Sequence, residues 1–152
     1  MSWQDDALVH AKDQNPKEAV GLVLNIKGKE KYYPCRNLAI TDHQCFILDP
    51  EDYVKADNLG SIKAVIHSHP ITSPSPSQAD LVSCENSGLP WHIVNPHSET
   101  WGYCEPTGYK VPLIGRQWVW GVTDCWSLVR DWYKEERDIQ LVDYERNITP
   151  EE

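Results

Sequence analysis

The chain has 152 residues, of which 40% are hydrophobic and 24% charged, and its formal net charge is −9. These values predict an ordinary soluble globular protein with one well-buried core and little chain left over. Because the chain is acidic and has no run of Lys and Arg, we expect no binding to the phosphates of nucleic acids.

The N-terminal segment predicts a helix and lacks the features of a targeting sequence. Apolar residues at positions 3, 7, 8 and 11 have a helical spacing, and Asn15-Pro16 ends the helix. Acidic residues stand where a signal peptide is basic, and no apolar run approaches the roughly 20 residues that span a bilayer. We therefore expect no membrane span, and we expect the chain to fold in the cytosol. Five cysteines without a C-x-x-C spacing argue against a disulfide scaffold or a Cys-rich zinc knuckle.

Predicted helices and strands alternate as far as about residue 95. A strand pair surrounds Lys27-Gly28-Lys29, and a short strand from Cys45 leads into a helix with Pro50 in its first turn. Further on are a strand at 62–69, a helix at 77–88 that Ser77 caps and Gly88 ends, and a strand at 89–96. This alternation predicts an α/β fold in which helices flank a mixed sheet.

The sequence changes character after residue 95. Residues 96–112 are rich in Pro, Gly and Thr and lack periodicity, which indicates a last edge segment followed by a linker. A second pattern starts near Gly115. We therefore divide the chain into a first domain at 1–95, the edge segment and linker at 96–112, and a second unit at 113–152.

Two histidines and an aspartate have a spacing that suits a metal site. Side chains alternate along a strand, so His67 and His69 share a face, roughly 6 to 7 Å apart, where the strand ends at Pro70. The helix that starts at Ser77 can turn Asp80 towards them. Two imidazoles and one carboxylate suit Zn²⁺ and leave a position for water, as in catalytic sites.

Each part of this pattern also has a purely structural interpretation. A single His near a strand end is usually a partly buried polar residue, and Ser77-x-x-Asp80 is also a capping box. The capping box does not explain why His67 and His69 precede it on the strand. The combination therefore favours the metal site.

The same residues resemble the signature of the JAMM (MPN+) metallopeptidases. His-Ser-His-Pro at 67–70 is followed by Ser77, with seven residues between His69 and Ser77, and by Asp80. The family also has an upstream glutamate, which Glu18 matches, although Val20 stands where a Cys is common. The resemblance covers roughly residues 3–95 and implies a JAMM/MPN fold with cytidine-deaminase-like layering.

The resemblance also implies a role for each matched residue in the cleavage of a peptide or isopeptide bond. His67, His69 and Asp80 would bind Zn²⁺. Glu18 would act as the general base, and Ser77 would donate a hydrogen bond to the oxyanion.

A second motif begins at Cys125. Apolar residues at 125, 128, 129, 132 and 133 form one stripe of a helix, on which Cys125 is either a small buried residue or a nucleophile activated by the helix N-terminus. Asp124-Cys125 and the residues after it resemble the nucleophile segment of NlpC-type papain-like peptidases, which implies peptidoglycan as a substrate of a full-length protein. No histidine follows Cys125. We expect a truncated second domain with an inactive Cys125, whose apolar stripe packs on the first domain, frays or pairs with another chain.

The order of the two motifs resembles that of tail assembly proteins of lambda-like phages. It implies tail-tip partners, among them a protein with a ubiquitin-like β-grasp fold, and a location in the host bacterial cytoplasm during assembly or at the virion tail tip. Three functions are left open: a zinc metallopeptidase of tail assembly, a non-catalytic docking module, and a fragment of a cell-wall peptidase using Cys125. The complete set of JAMM positions favours the first, since docking would not require all of them.

Overall fold

The computed structural model describes residues 2–39, 46–144 and 146. The helices are α1 (Trp3–Gln14), α2 (Pro50–Leu59), α3 (Gln78–Ser87) and α4 (Cys125–Arg137). The strands are β1 (Val20–Ile26), β2 (Lys29–Cys35), β3 (Ser61–Ser68), β4 (Trp91–Asn95) and β5 (Thr100–Cys104). They form one sheet in the order β2-β1-β3-β4-β5, in which β3 and β4 are parallel and the other pairs antiparallel. This is the predicted mixed α/β fold.

Strand β1 connects the two layers of the core. On one face Leu22 and Leu24 pack in a cluster that includes Ala56 of α2. On the other face Val23 packs with Ala7 of α1. Neighbouring side chains of a strand point to opposite faces, so a strand covered on both sides is a continuous apolar run.

The predicted ends of α3 are confirmed. Ser77 is the N-cap and forms a capping box with Asp80, and Gly88 ends the helix with a left-handed φ of +68°. The Gly88 N–H donates to the Cys84 carbonyl at 3.2 Å, as a helix C-cap requires. These local hydrogen bonds position the first turn of α3, which carries Asp80.

Within the described residues 46–49, the strand predicted to begin at Cys45 is reduced to an isolated bridge. Cys45 itself lies outside the described residues, and the residues just before α2 contribute an isolated bridge between Leu48 and Asn37. The Asn37 side chain accepts a hydrogen bond from the Ile47 N–H at 2.9 Å, so a side chain replaces part of a strand ladder. By contrast, β5 lies within the segment 96–112, where an edge segment was predicted, and pairs with β4.

Helix α4 begins at Cys125, as predicted, but packs through an unexpected side. Cys125 is exposed, so its interpretation as a buried residue is wrong. The rest of the apolar stripe is 37–42% exposed and comprises Leu128, Val129, Trp132 and Tyr133. The opposite side carries buried Ser127 and, with Arg130 and Asp131, borders a cleft beside α3. The polar side of α4, and not the stripe, therefore faces α3, and Asp131 on this side pairs with Arg116, which precedes α4, at 3.0 Å.

Among the described ranges, no helix is both long and apolar enough to cross a membrane.

Candidate metal centre

The candidate site lies at the carboxyl end of β3, where three segments meet. Glu18 precedes β1, His67 lies in β3 opposite Val20, and His69 follows the last residue of β3. Asp80 comes from the first turn of α3. Glu18, His67, His69 and Asp80 are each at most 8% exposed. Four titratable side chains are thus buried together, which is unusual unless they bind one another or an ion.

Asp80 contacts both imidazoles. Its Oδ2 accepts a hydrogen bond from His69 Nε2 at 3.0 Å, and its Oδ1 lies 3.2 Å from His67 Nε2. The two rings are 5.1 Å apart between centroids and meet edge to face. The structure therefore brings together the three residues whose spacing predicts a metal site.

Glu18 lies near Nδ1 of His67, the ring nitrogen that does not face Asp80. Its Oε1 lies 4.0 Å from His67 Nδ1. Potential ligand atoms of Glu18, His67 and His69 all lie within 4.8 Å of one another, so the residues described include a second carboxylate that is close enough to share an ion.

Three buried atoms of this cluster lack a hydrogen-bond partner among the described residues. They are Oε2 of Glu18 and both ring nitrogens of His67, since the contact with Asp80 lacks hydrogen-bond geometry. Buried polar atoms in proteins are almost always paired. A bound cation would satisfy one of the two ring nitrogens of His67, and a set of imidazoles and carboxylates fits zinc.

Ser77 and Asp80 serve as a helix cap and belong to the site at the same time. The Ser77 N–H donates to Asp80 Oδ2 at 2.9 Å, and Ser77 Oγ accepts from the Asp80 N–H at 3.1 Å. The two interpretations of this motif are therefore compatible: the cap orients the carboxylate towards the histidines. Because Ser77 Oγ is the acceptor in the cap, its hydroxyl proton can be donated elsewhere.

The electrostatics distinguish the two carboxylates. Burial raises the pKa of Glu18, and the histidines only partly offset this effect. Burial would also raise the pKa of Asp80, but its contacts with His67 and His69 outweigh burial and lower it. Burial opposes protonation of His69, yet its hydrogen bonds to Asp80 and Ser73 raise its pKa. Asp80 is therefore held as a carboxylate, whereas Glu18 is the more basic group.

Sequence reasoning missed the aromatic walls of the site. The rings of Phe46 and Trp91 lie 4.6 and 5.3 Å from the His67 ring, measured between centroids. They come from the segment before α2 and from β4, and no local pattern connects them to the histidines. They provide the apolar surroundings in which charge interactions are strong.

A family profile decides the relationship. The profile of Prok-JAB, described as prokaryotic homologs of the JAB domain, matches residues 2–104. The chain belongs to the Prok-JAB family. The Prok-JAB match includes all five strands and every residue of the candidate site.

Two phage proteins resemble this Prok-JAB chain in sequence. Tail tip assembly protein K of Escherichia phage N15 is 38% identical over 140 residues, covering 92% of this chain and 57% of the phage protein. Tail tip assembly protein K of Escherichia phage lambda is 39% identical over 103 residues, covering 65% and 47%. The chain spans about half the length of these curated relatives.

A solved structure shows the same fold. A protein from Desulfitobacterium hafniense, determined in solution, superposes with a TM-score of 0.53 at 23% identity, over 69% of this chain and 87% of that one. The Prok-JAB match ends at residue 104, before α4. The NlpC-type character of the segment around Cys125 is therefore still an interpretation of its sequence.

Proposed function

We propose that this Prok-JAB domain is a zinc-dependent peptidase or isopeptidase of the JAMM type that acts in phage tail assembly or tail-tip maturation. The observation that carries the proposal is the group of three unpaired buried atoms on Glu18 and His67, next to His69 and Asp80. The relatives named tail tip assembly protein K support the tail context. The expected partners are tail-tip proteins, including one with a β-grasp fold, met in the host cytoplasm or at the tail tip.

We assign zinc binding to His67, His69 and Asp80. Asp80 lies within 3.2 Å of both imidazoles, whereas the nearest ring nitrogen to Glu18 is 4.0 Å away. The low pKa of Asp80 suits a ligand, which must be ionised. This assignment leaves Glu18 for proton transfer.

The remaining residues supply the acid–base and electrostatic parts of the reaction. Bound zinc would act as a Lewis acid that acidifies water and polarises the scissile carbonyl. Glu18 accepts the proton of the attacking water and returns it to the leaving amine. Ser77 donates a hydrogen bond from its hydroxyl group to the developing oxyanion. Phe46 and Trp91 exclude bulk water, which strengthens these interactions.

We further interpret α4 as the start of an NlpC-type domain, with Cys125 in the position of the nucleophile. Such a thiol needs a histidine base that is in turn oriented by another group. The six histidines of these 152 residues all precede Cys125. We therefore propose that Cys125 does not act as a nucleophile in this chain.

Zinc analysis combined with cleavage of tail-tip proteins tests the proposal. Purified protein should contain about one zinc ion per chain, as three-ligand catalytic sites do. It should cleave a tail-tip partner, and chelation should abolish cleavage. Glu18→Gln should retain the zinc but lose at least ~10²-fold in rate, the usual scale for a general base. His92→Ala is the control: His92 lies in β4 against Trp3 and Tyr103, and its loss should leave zinc and rate unchanged.

The same variants distinguish the enzyme from a docking module. If Glu18→Gln supported tail assembly as well as the wild type, with all tail-tip proteins uncleaved in both, the peptidase would be refuted. A zinc-containing docking module would then explain the fold.

A further inference from the structure

The segment between two proposed zinc ligands determines how His69 is held. His69 follows the last residue of β3, so the sheet fixes its backbone only partly, through a hydrogen bond from its N–H to the Val94 carbonyl at 2.9 Å. Its ring is fixed by the segment at 70–76: Nδ1 donates to the Ser73 carbonyl at 2.7 Å. Nε2 faces Asp80 at 3.0 Å. Ser73 therefore determines which ring nitrogen faces the carboxylate.

The β4–β5 hairpin in turn fixes the residues on either side of Ser73. The Asn95 side-chain amide donates to the Thr72 carbonyl at 2.8 Å. Gly102 lies so close to Pro74 that a methyl group added to it would be 2.0 Å from the Pro74 carbonyl oxygen. Any larger residue at 102 would push the segment away from β5.

We propose that Asn95 and Gly102 are positioning residues of the zinc site. They fix residues 72–74 so that the Ser73 carbonyl holds the Nδ1–H of His69 and leaves Nε2 for the metal. The inference rests on the zinc site proposed above. Hydrogen bonds to the non-coordinating nitrogen of a ligand histidine set its tautomer and ring orientation, which is why distant residues affect metal affinity.

The chemistry of Asn95 allows a substitution that separates its two tasks. Its Oδ1 accepts from the N–H groups of His97 and Ser98 at 2.9 and 3.1 Å, which shapes the turn of the hairpin. Asn95→Asp retains that acceptor but places an oxygen opposite the Thr72 carbonyl, where a donor is needed. Asn25→Asp is the matched control, because Asn25 Oδ1 accepts from the Gly28 N–H at 2.9 Å in the other hairpin.

Gly102 also has a matched control elsewhere in the sheet region. A methyl group on Gly60 would lie 2.5 Å from the Asn25 carbonyl oxygen, so Gly60→Ala also forces a backbone carbonyl to move. Gly60 is the C-cap of α2, in a different part of the fold from the segment at 70–76. Gly102→Ala and Gly60→Ala should both lower the melting temperature, but only the first should affect the zinc site. If Gly102→Ala failed to fold, Asn95→Asp would still provide the test.

Two measurements test the proposal: zinc affinity by competition with a chromophoric chelator, and the NMR signal of the His69 Nδ1–H in zinc-free protein. Asn95→Asp and Gly102→Ala should weaken zinc binding ~10- to 100-fold, the usual effect of losing an outer-shell partner. They should also lose the ring N–H signal, which is visible when bonded to Ser73. Asn25→Asp and Gly60→Ala should retain both.

Wild-type zinc affinity and an intact ring signal in Asn95→Asp and Gly102→Ala would overturn the proposal while leaving the zinc site in place. If the wild type bound no zinc, the proposed function would fail. The NMR signal of the His69 Nδ1–H would then test the positioning of the His69 ring. Loss of this signal in Asn95→Asp, with the signal retained in Asn25→Asp, would support the role of Asn95, and a signal retained in both variants would refute it.

Discussion

Zinc binding should raise the melting temperature of the chain by an amount that depends on Asp80 but not on Glu18. A ligand at 100 times its Kd stabilises the folded state by about 2.7 kcal/mol. For a chain of this size each kcal/mol corresponds to about 2–4 °C. Zinc at that concentration should therefore raise the wild-type melting temperature by roughly 5–11 °C.

Two isosteric substitutions separate the proposed ligand from the proposed base. Asp80→Asn removes the charge that contacts both imidazoles at 3.2 and 3.0 Å but retains an acceptor for the Ser77 N–H. If affinity falls about 100-fold, the same zinc concentration contributes only about 0.4 kcal/mol, or about 1–2 °C. Glu18→Gln should retain the full increase.

Differential scanning fluorimetry with and without zinc measures these differences without a substrate. His67→Ala should behave like Asp80→Asn, because it also removes a proposed ligand. An equal zinc-induced increase in Asp80→Asn and the wild type would refute Asp80 as a ligand. Loss of the increase in Glu18→Gln would instead identify Glu18 as a ligand, in the arrangement where it lies within 4.8 Å of both histidines.

Three further predictions concern single residues. Ser77→Ala should lower kcat by ~10²–10³-fold, the scale of one lost oxyanion donor. Ser2→Ala, which breaks the equivalent capping box of α1, should lower only the stability of the fold. A peptidase assay in which Ser77→Ala and Ser2→Ala have equal rates would contradict the role of Ser77. Burial opposes ionisation of Asp124, but hydrogen bonds from Arg146 at 2.8 and 2.9 Å hold its pKa below the ordinary value. The Asp124 carboxylate thus stabilises α4 fully above its unfolded pKa of about 3.9 and loses this effect as the pH falls below it. The protection of the α4 amides against hydrogen exchange, relative to an unfolded chain at the same pH, should therefore fall on acidification in the wild type and not in Asp124→Asn; the same pH dependence of protection in both would count against this role. Cys125→Ala should change neither peptidase rate nor zinc content, and zinc-independent peptidoglycan cleavage that this variant lacks would show that Cys125 is a working nucleophile.

The predictable parts of the fold are those that depend on neighbouring residues. The start of α3 follows from the Ser77 capping box and its end from Gly88, since both involve hydrogen bonds within a few residues. The apolar run of β1 likewise indicates a strand covered on both faces. The strand predicted from Cys45 is reduced to a bridge at Leu48, because the side chain of Asn37, ten residues earlier in the chain, accepts the hydrogen bond of the Ile47 N–H in place of a backbone carbonyl.

For helix α4 the sequence predicts the helix itself but not its orientation. Its periodicity correctly indicates a helix from Cys125, but not which side faces the rest of the chain. Hydrophobic burial would favour the stripe with Trp132, yet the polar side with Arg130 and Asp131 faces α3, and Asp131 pairs with Arg116. The partner of an ion pair depends on the path of the chain, and the periodicity of one helix does not predict that path.

The sequence by itself determined the identity and order of the chemical groups in the site. The spacing of His67 and His69 places them on one strand face, and the capping box places Asp80 at a helix start, both through local backbone geometry. Only the tertiary structure decided which groups meet them. The antiparallel pairing of β1 with β3 brings Glu18 to His67, and the β4–β5 hairpin brings Asn95 to the segment that holds His69. These contacts depend on strand register across the sheet, which is set by the packing of the whole core and by no short motif.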